Sequence, residues 1–132
     1  MNIHTHLRRA ATVMACVLSA AMLLFPLSAL SEAPLSFAKA VRPILDANCL
    51  TCHKPGGIGY ERSGLDMRSY AGLMKGTKYG KVILPGDSYN SVLVQLIEHR
   101  ANPTISMPFH KQSLTPSEIT TITRWIDEGA KP

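Results

Sequence analysis

The sequence predicts an all-α domain, and three observations support that prediction. Apolar residues recur at helical spacing in several segments, of which the clearest runs from Thr115 to Gly129. Stretches rich in glycine and proline, such as 55–59 and 85–86, separate these segments. No stretch shows the alternating pattern of a half-buried strand. We therefore expect a small fold of about four to five helices.

The first predicted helix begins near Ser36 and leads towards Cys49. Its apolar residues recur at helical spacing, and they are Phe37, Val41, Ile44 and Leu45. Pro43 is unfavourable inside a helix because it lacks an N–H and its ring crowds the preceding turn. Two arrangements are compatible with it: one kinked helix from Ser36, or a shorter helix that starts with Pro43 as its first residue. We favour the kinked helix.

Two further helices are predicted in the middle of the chain. A short one is capped near Ser69 and stopped by Gly76. The turn at Pro85–Ser88 precedes the next, whose buried stripe is expected to contain Val92, Leu93, Leu96 and Ile97.

The last predicted helix has the clearest start signal. Thr115 is its N-cap, Pro116 occupies the first helical position, and Glu118 completes a capping box. One face carries apolar side chains, and Gly129 closes the helix; the face consists of Ile119, Ile122, Trp125 and Ile126.

Residues 1–31 are predicted to be a secretory signal peptide, which leaves residues 32–132 as one domain. Arg8 and Arg9 precede the apolar run Ala10–Leu30. An uncleaved membrane anchor is the alternative, because that run is long enough to span a bilayer. Loss of both arginines reduces the formal net charge from +5 to +3. The basic residues are scattered, so we expect no binding of nucleic acid.

The pentapeptide Cys49-Leu50-Thr51-Cys52-His53 is a C-x-x-C-H motif, typical of the attachment site of a c-type haem. On a helical turn, both cysteines lie on one face and His53 follows on that face. The two sulfurs can then form thioethers with the porphyrin, and His53 can bind the iron. A thioredoxin-like site would need a βαβ pattern, and a structural zinc site would need four ligands.

A second axial ligand is expected from Met107. It lies in an irregular loop, and Pro108 favours an extended backbone at Met107, which directs the side chain away from the chain. Met67 and Met74 are the other methionines of the domain, and core packing is the usual role of such residues. His99 and His110 leave bis-histidine coordination open.

Several segments together resemble the planctomycete-type cytochrome c domain, within the class I c-type cytochromes. They are Val41–Leu45, Cys49–His53, Gly64–Asp66, Leu84–Asp87 with Ser91–Leu93, Met107-Pro108, and Leu114–Ala130. The resemblance implies helices around one covalent haem c, attached through Cys49 and Cys52, with His53 and Met107 as iron ligands. The family usually has a second proline where this chain has Phe109. By the same resemblance, Trp125 packs against the first helix and the haem.

These observations predict a carrier of single electrons in the periplasm, not an enzyme. Its partners are expected to be redox proteins met in transient contacts, with a membrane involved only if residues 1–31 stay attached. A haem-based catalyst or sensor with a labile sixth ligand is one alternative, and a fixed subunit of a larger oxidoreductase is another. Arg62, Arg68, Lys78 and Tyr79 are candidates for contacts with the haem propionates.

Overall fold

A computed structural model describes residues 33–132, which are helical and contain no β-strand. A π-helical turn at Phe37–Val41 is followed by five α-helices and one short 3₁₀ helix. The α-helices are α1 (Arg42–Asn48), α2 (Ile58–Ser63), α3 (Tyr70–Lys75), α4 (Val92–Ile97) and α5 (Pro116–Asp127), and the 3₁₀ helix is Pro103–Ile105. The all-α prediction is confirmed for this part of the chain. The predicted signal peptide, 1–31, lies outside the described residues.

The helical segment before the motif changes from π to α geometry just before Pro43. The Ser36 side chain accepts a hydrogen bond from the Lys39 N–H, and the Arg42 N–H donates to the Phe37 carbonyl. Pro43 then occupies the second position of α1, rather than the middle of a kinked α-helix or the first position of a new one. A π turn is wider than an α turn, so it relieves the crowding that the proline ring causes one turn earlier.

The core is built around α5, whose Trp125 is fully buried. The Trp125 ring lies 6.0 Å from that of Phe37, so the predicted packing against the first helical segment is present. The chain end fastens these parts together, because the Lys131 carbonyl accepts hydrogen bonds from Trp125 Nε1 at 2.7 Å and from the Phe37 N–H at 3.1 Å. The Tyr70 hydroxyl donates to the neighbouring Ala130 carbonyl at 2.9 Å.

The buried face of α4 differs from the prediction. Val92 is 42% exposed, and Val94 is buried in its place beside Leu93 and Ile97. The helix begins only at Val92, with Ser91 as its N-cap. Because Val92 is the first residue of the helix, it lies at the edge of the face that packs against the core. The prediction that Val92 is buried is therefore wrong.

The turn before α4 is tied to the end of α5. Asp127 accepts hydrogen bonds from the Ser88 N–H at 2.9 Å and from the Ser88 hydroxyl at 3.0 Å. The Gly86 N–H donates to the Ile126 carbonyl at 2.7 Å. The start of α4 is therefore held against the last turn of α5.

Candidate haem site

The C-x-x-C-H motif forms a tight turn at the end of α1. The Cys49 N–H continues the helix by donating to the Leu45 carbonyl, and the Cys49 carbonyl accepts from the Cys52 and His53 N–H groups at 3.1 and 3.0 Å. Both cysteines are free thiols and partly exposed. The turn therefore keeps the three side chains in one short segment.

His53 is buried beneath this turn, with only 8% of its surface exposed. Its Nδ1 atom is buried and forms no hydrogen bond of normal length and angle among residues 33–132. Burial lowers the pKa of His53, and a weaker hydrogen-bonding contact with the Leu65 backbone partly opposes that shift. The imidazole is therefore neutral near pH 7, which is the form that binds metals. A buried ring nitrogen without such a bond is rare in proteins and calls for a ligand or a polar partner.

Helix α2 closes over the histidine ring at Gly59. A Cβ atom built on Gly59 would lie 2.9 Å from Cε1 and 3.0 Å from Nε2 of His53. The backbone is fastened on both sides, since the Tyr60 N–H donates to the Cys52 carbonyl and the Met67 N–H donates to the His53 carbonyl, each at 2.9 Å. Sequence reasoning missed this role, because it placed Gly59 in a stretch rich in glycine and proline between two helical segments.

The environment of Cys49 opposes ionisation of its thiol. Burial raises the pKa of Cys49 to about 11, with the positive charge of Lys111 acting in the opposite direction. Cysteines of thioredoxin-like sites have lowered pKa values, because the thiolate is the reactive species. Cys49 therefore differs from a redox-active dithiol of that kind.

The loop that carries Met107 lies near the motif. Lys111 and Glu118 both influence the Cys49 thiol electrostatically, and Asn48 donates a hydrogen bond to Glu118 at 3.1 Å. Met107 and Cys49 are both partly buried side chains that pack against the hydrophobic core. The segment before α5 is thus brought next to the end of α1, as a shared cofactor would require.

One backbone hydrogen bond and one side-chain hydrogen bond hold the Met107 loop. The Met107 N–H donates to the Leu96 carbonyl at 3.2 Å, at the end of α4. His99 Nε2 and the Ser113 hydroxyl are 2.9 Å apart and join the two ends of the loop. The Met107–Pro108 peptide bond is cis, and Pro108 is buried.

The other candidate ligands have different surroundings. Met67 is almost fully buried in the core, and Met74 is partly buried against it. His110 is exposed and lies against the exposed ring of Phe109, with their centroids 4.0 Å apart. His99 is also exposed and is engaged with Ser113.

The four candidates for propionate contacts are exposed. Arg68 forms an ion pair with Asp66, with Nη2 and Oδ2 2.7 Å apart. Arg62, Lys78 and Tyr79 lie on the surface near the end of α2. Among residues 33–132, no group of three or more His, Cys, Asp or Glu side chains is arranged to hold a metal ion.

A helical domain in which two free cysteines precede a buried neutral histidine has the features of a c-type cytochrome. Residues 49–108 match the family model described as Planctomycete cytochrome C. The match begins at Cys49 and ends at Pro108, so it spans the motif and Met107, and it confirms the resemblance predicted from the sequence. No curated protein and no solved structure matches the chain at a significant level.

A cytochrome c domain implies covalently bound haem c and haem-based electron transfer. The residues present fit that group: two thiols are available for thioethers, and a buried neutral imidazole follows them directly. Such domains are typically extracytoplasmic. In the part of the chain that the structure describes, no helix is long and apolar enough to cross a membrane.

Proposed function

We propose that this chain is a mono-haem c-type cytochrome that carries single electrons between redox proteins outside the cytoplasmic membrane. The observation that carries the proposal is the buried His53, whose Nδ1 forms no hydrogen bond of normal length and angle, directly after two free cysteines. The family match over 49–108 supports it independently.

The proposal gives four residues direct roles. Cys49 and Cys52 would hold the porphyrin through thioether bonds, and His53 and Met107 would bind the iron. When bound, haem c supplies a reversible couple between Fe(II) and Fe(III), and a methionine ligand raises its potential relative to bis-histidine ligation. If two protein side chains bind the iron, none of its coordination positions would be left for a substrate, and the chain would act as a carrier rather than an enzyme.

The chain's own residues keep the histidine ready for coordination. Burial keeps the imidazole neutral, and Gly59 leaves just enough space for its ring. Leu65 and Met67 are buried, and the Met67 N–H donates to the His53 carbonyl. These two apolar side chains therefore exclude water from this side of the histidine. Exclusion of water around a redox centre is one way in which a protein sets its potential.

Haem attachment is tested by whether the haem stays with the polypeptide under denaturing conditions. We expect one haem per chain to survive denaturing electrophoresis and acid–acetone extraction. A Cys49→Ala/Cys52→Ala double variant should lose that covalent haem. Thr51→Ala is the matched control, because Thr51 is an exposed residue between the two cysteines and should leave attachment unchanged. Haem that extracts from the wild type, or stays covalent in the double variant, contradicts the proposal.

The export part of the proposal rests on residues 1–31. We expect the mature protein to start near Leu30 or Glu32 after removal of the signal peptide. N-terminal sequencing of the exported protein measures this directly. A chain that retains Met1 in the membrane fraction would instead show an uncleaved anchor.

A further inference from the structure

The carboxylates of residues 33–132 all take part in hydrogen bonds or ion pairs within the chain. Four of them pair with arginines, and the others accept hydrogen bonds from backbone or side-chain groups. The ion pairs are Arg42–Asp46, Arg68–Asp66, Arg100–Glu98 and Arg124–Glu128, and the other bonded carboxylates are Glu61, Asp87, Glu118 and Asp127. Outside these four ion pairs, residues 33–132 contain eight Lys and Arg side chains and four carboxylates, so the uncompensated charge of this region is mostly positive.

The basic residues are scattered along the sequence, but the fold brings four of them to one turn, which we call the basic turn and define as Arg62, Lys75, Lys78 and Lys81. The chain reverses at Gly76–Gly80, where Thr77 and Gly80 form an isolated β-bridge. The Lys78 N–H donates to the Ser63 carbonyl at 2.9 Å, and this bond brings the turn against the end of α2. All four side chains are exposed, and none forms an ion pair with a carboxylate of the described residues.

Tyr79 stands at the tip of the basic turn and is 79% exposed, more than the other large hydrophobic residues of the described region. The Lys78 ammonium lies 5.2 Å from the centre of its ring. The Lys81 ammonium is held at the base of the turn by the Met74 carbonyl at 2.8 Å. An exposed tyrosine among cations has the composition of an interface hot spot, because tyrosine contributes a large contact area and a polar hydroxyl.

We propose that the basic turn with Tyr79 is a docking surface for an acidic protein. Complementary charge attracts the partner, and Tyr79 supplies the apolar contact at the centre. A lipid surface is the less favourable occupant, because stable membrane binding takes a broad apolar face or two anchoring signals, and here one tyrosine side chain protrudes. The proposal goes beyond electron transfer, and it does not depend on haem, because the charges and exposure of this turn belong to the polypeptide alone.

The docking surface has a structural link to the candidate haem site. Arg62 and Ser63 end α2, the helix in which Gly59 packs against the His53 ring. A partner bound at the basic turn would therefore rest on the helix that covers the histidine. This position would bring a redox partner near the centre without contact with the cysteines.

The test is binding of the intact haem-loaded protein to two acidic polymers, poly-L-glutamate and a copolymer of glutamate and tyrosine, by calorimetry at low salt. A Lys78→Glu/Lys81→Glu double variant should bind poly-L-glutamate about tenfold more weakly than the wild type, because two charges are reversed and the net charge of the surface falls by four units. Lys39→Glu/Lys131→Glu is the matched control, with the same charge change at exposed lysines elsewhere. It should bind much more tightly than the first variant.

Tyr79→Ser separates the aromatic contribution from the charge. It should weaken binding to the glutamate–tyrosine copolymer by a larger factor than binding to poly-L-glutamate. Thermal melting checks that every variant is folded, and Lys78→Gln/Lys81→Gln replaces the charge reversal if that variant is unstable. Equal losses in the two lysine double variants overturn the proposal. So does binding to vesicles of phosphatidylglycerol in preference to both polymers, which would indicate a membrane surface.

Discussion

Replacing Gly59 with alanine should disturb the histidine ligand directly. The added Cβ would lie 2.9 Å from Cε1 and 3.0 Å from Nε2 of His53, and 3.0 Å from the Cys52 carbonyl oxygen. Favourable contacts between such atoms lie at about 3.5–4.0 Å, so the imidazole or α2 must move by about 0.5–1 Å. The Cys52 carbonyl is already bonded to the Tyr60 N–H, which limits movement of the helix.

The effect on stability is expected to be smaller than the effect on coordination. Overpacking costs about 1–3 kcal/mol, whereas glycine to alanine within a helix gains up to about 1 kcal/mol. The net loss in the free energy of unfolding is therefore about 0–2 kcal/mol. Metal–ligand distances tolerate only about 0.2 Å, so a displaced imidazole should change the optical spectrum and the reduction potential clearly.

The matched control is Gly76→Ala at the end of α3, where the new Cβ would lie 2.5 Å from the Gly80 carbonyl oxygen. This variant should lose stability but keep the wild-type spectrum, because the clash involves a turn that forms no hydrogen bond with His53. Spectra and redox titrations of the purified variants provide the comparison. A Gly59→Ala protein with wild-type spectrum and potential would refute the reasoning that Gly59 makes room for the ligand.

Three further predictions concern α5 and the turn before α4. Asp127→Ala leaves the buried Ser88 groups without their acceptor and should destabilise the domain by about 1–3 kcal/mol, measured by denaturant unfolding. Thr115→Ala removes the N-cap of α5 and should cost about 0.5–2 kcal/mol in the same assay, with a shortened helix. Hydrogen bonds from Thr115 lower the pKa of Glu118, so the carboxylate stabilises the fold above its ordinary pKa and loses that effect as the pH falls through the lowered value. The free energies of unfolding of wild type and Glu118→Gln should therefore converge as the pH is lowered. A difference between them that stays constant with pH would contradict this.

Features set by neighbouring residues were predictable from the sequence. The capping box at Thr115 and Glu118 and the cap at Ser69 are local hydrogen-bonded patterns, and both are present. The Cys49–His53 turn was predictable for the same reason, since its spacing alone selects a helical turn. The family resemblance rested on short motifs and is matched over 49–108.

Features that depend on distant packing were missed. Helix α2 has no buried residue, so no apolar stripe signals it, and its glycine-rich start resembles a loop. The sequence shows that the Pro43 ring would crowd the preceding helical turn, but it does not show how the chain avoids this crowding. The π turn before Pro43 was therefore not predicted. The surroundings of His53 combine Gly59 with Leu65, which come together only in the folded chain.

The optical spectrum of a Met107→Ala variant tests the central claim most directly. If the Met107 sulfur is the sixth ligand, the ferric wild type is low-spin with a weak far-red charge-transfer band, and the variant loses that band, drops in potential and binds CO. Met67→Ala and Met74→Ala are the controls, and both should keep the band even where stability falls by about 2–5 kcal/mol. A Met107→Ala spectrum identical to wild type would place the ligand elsewhere. A wild type that is high-spin and binds CO at once would contradict the electron carrier and favour a haem catalyst or sensor.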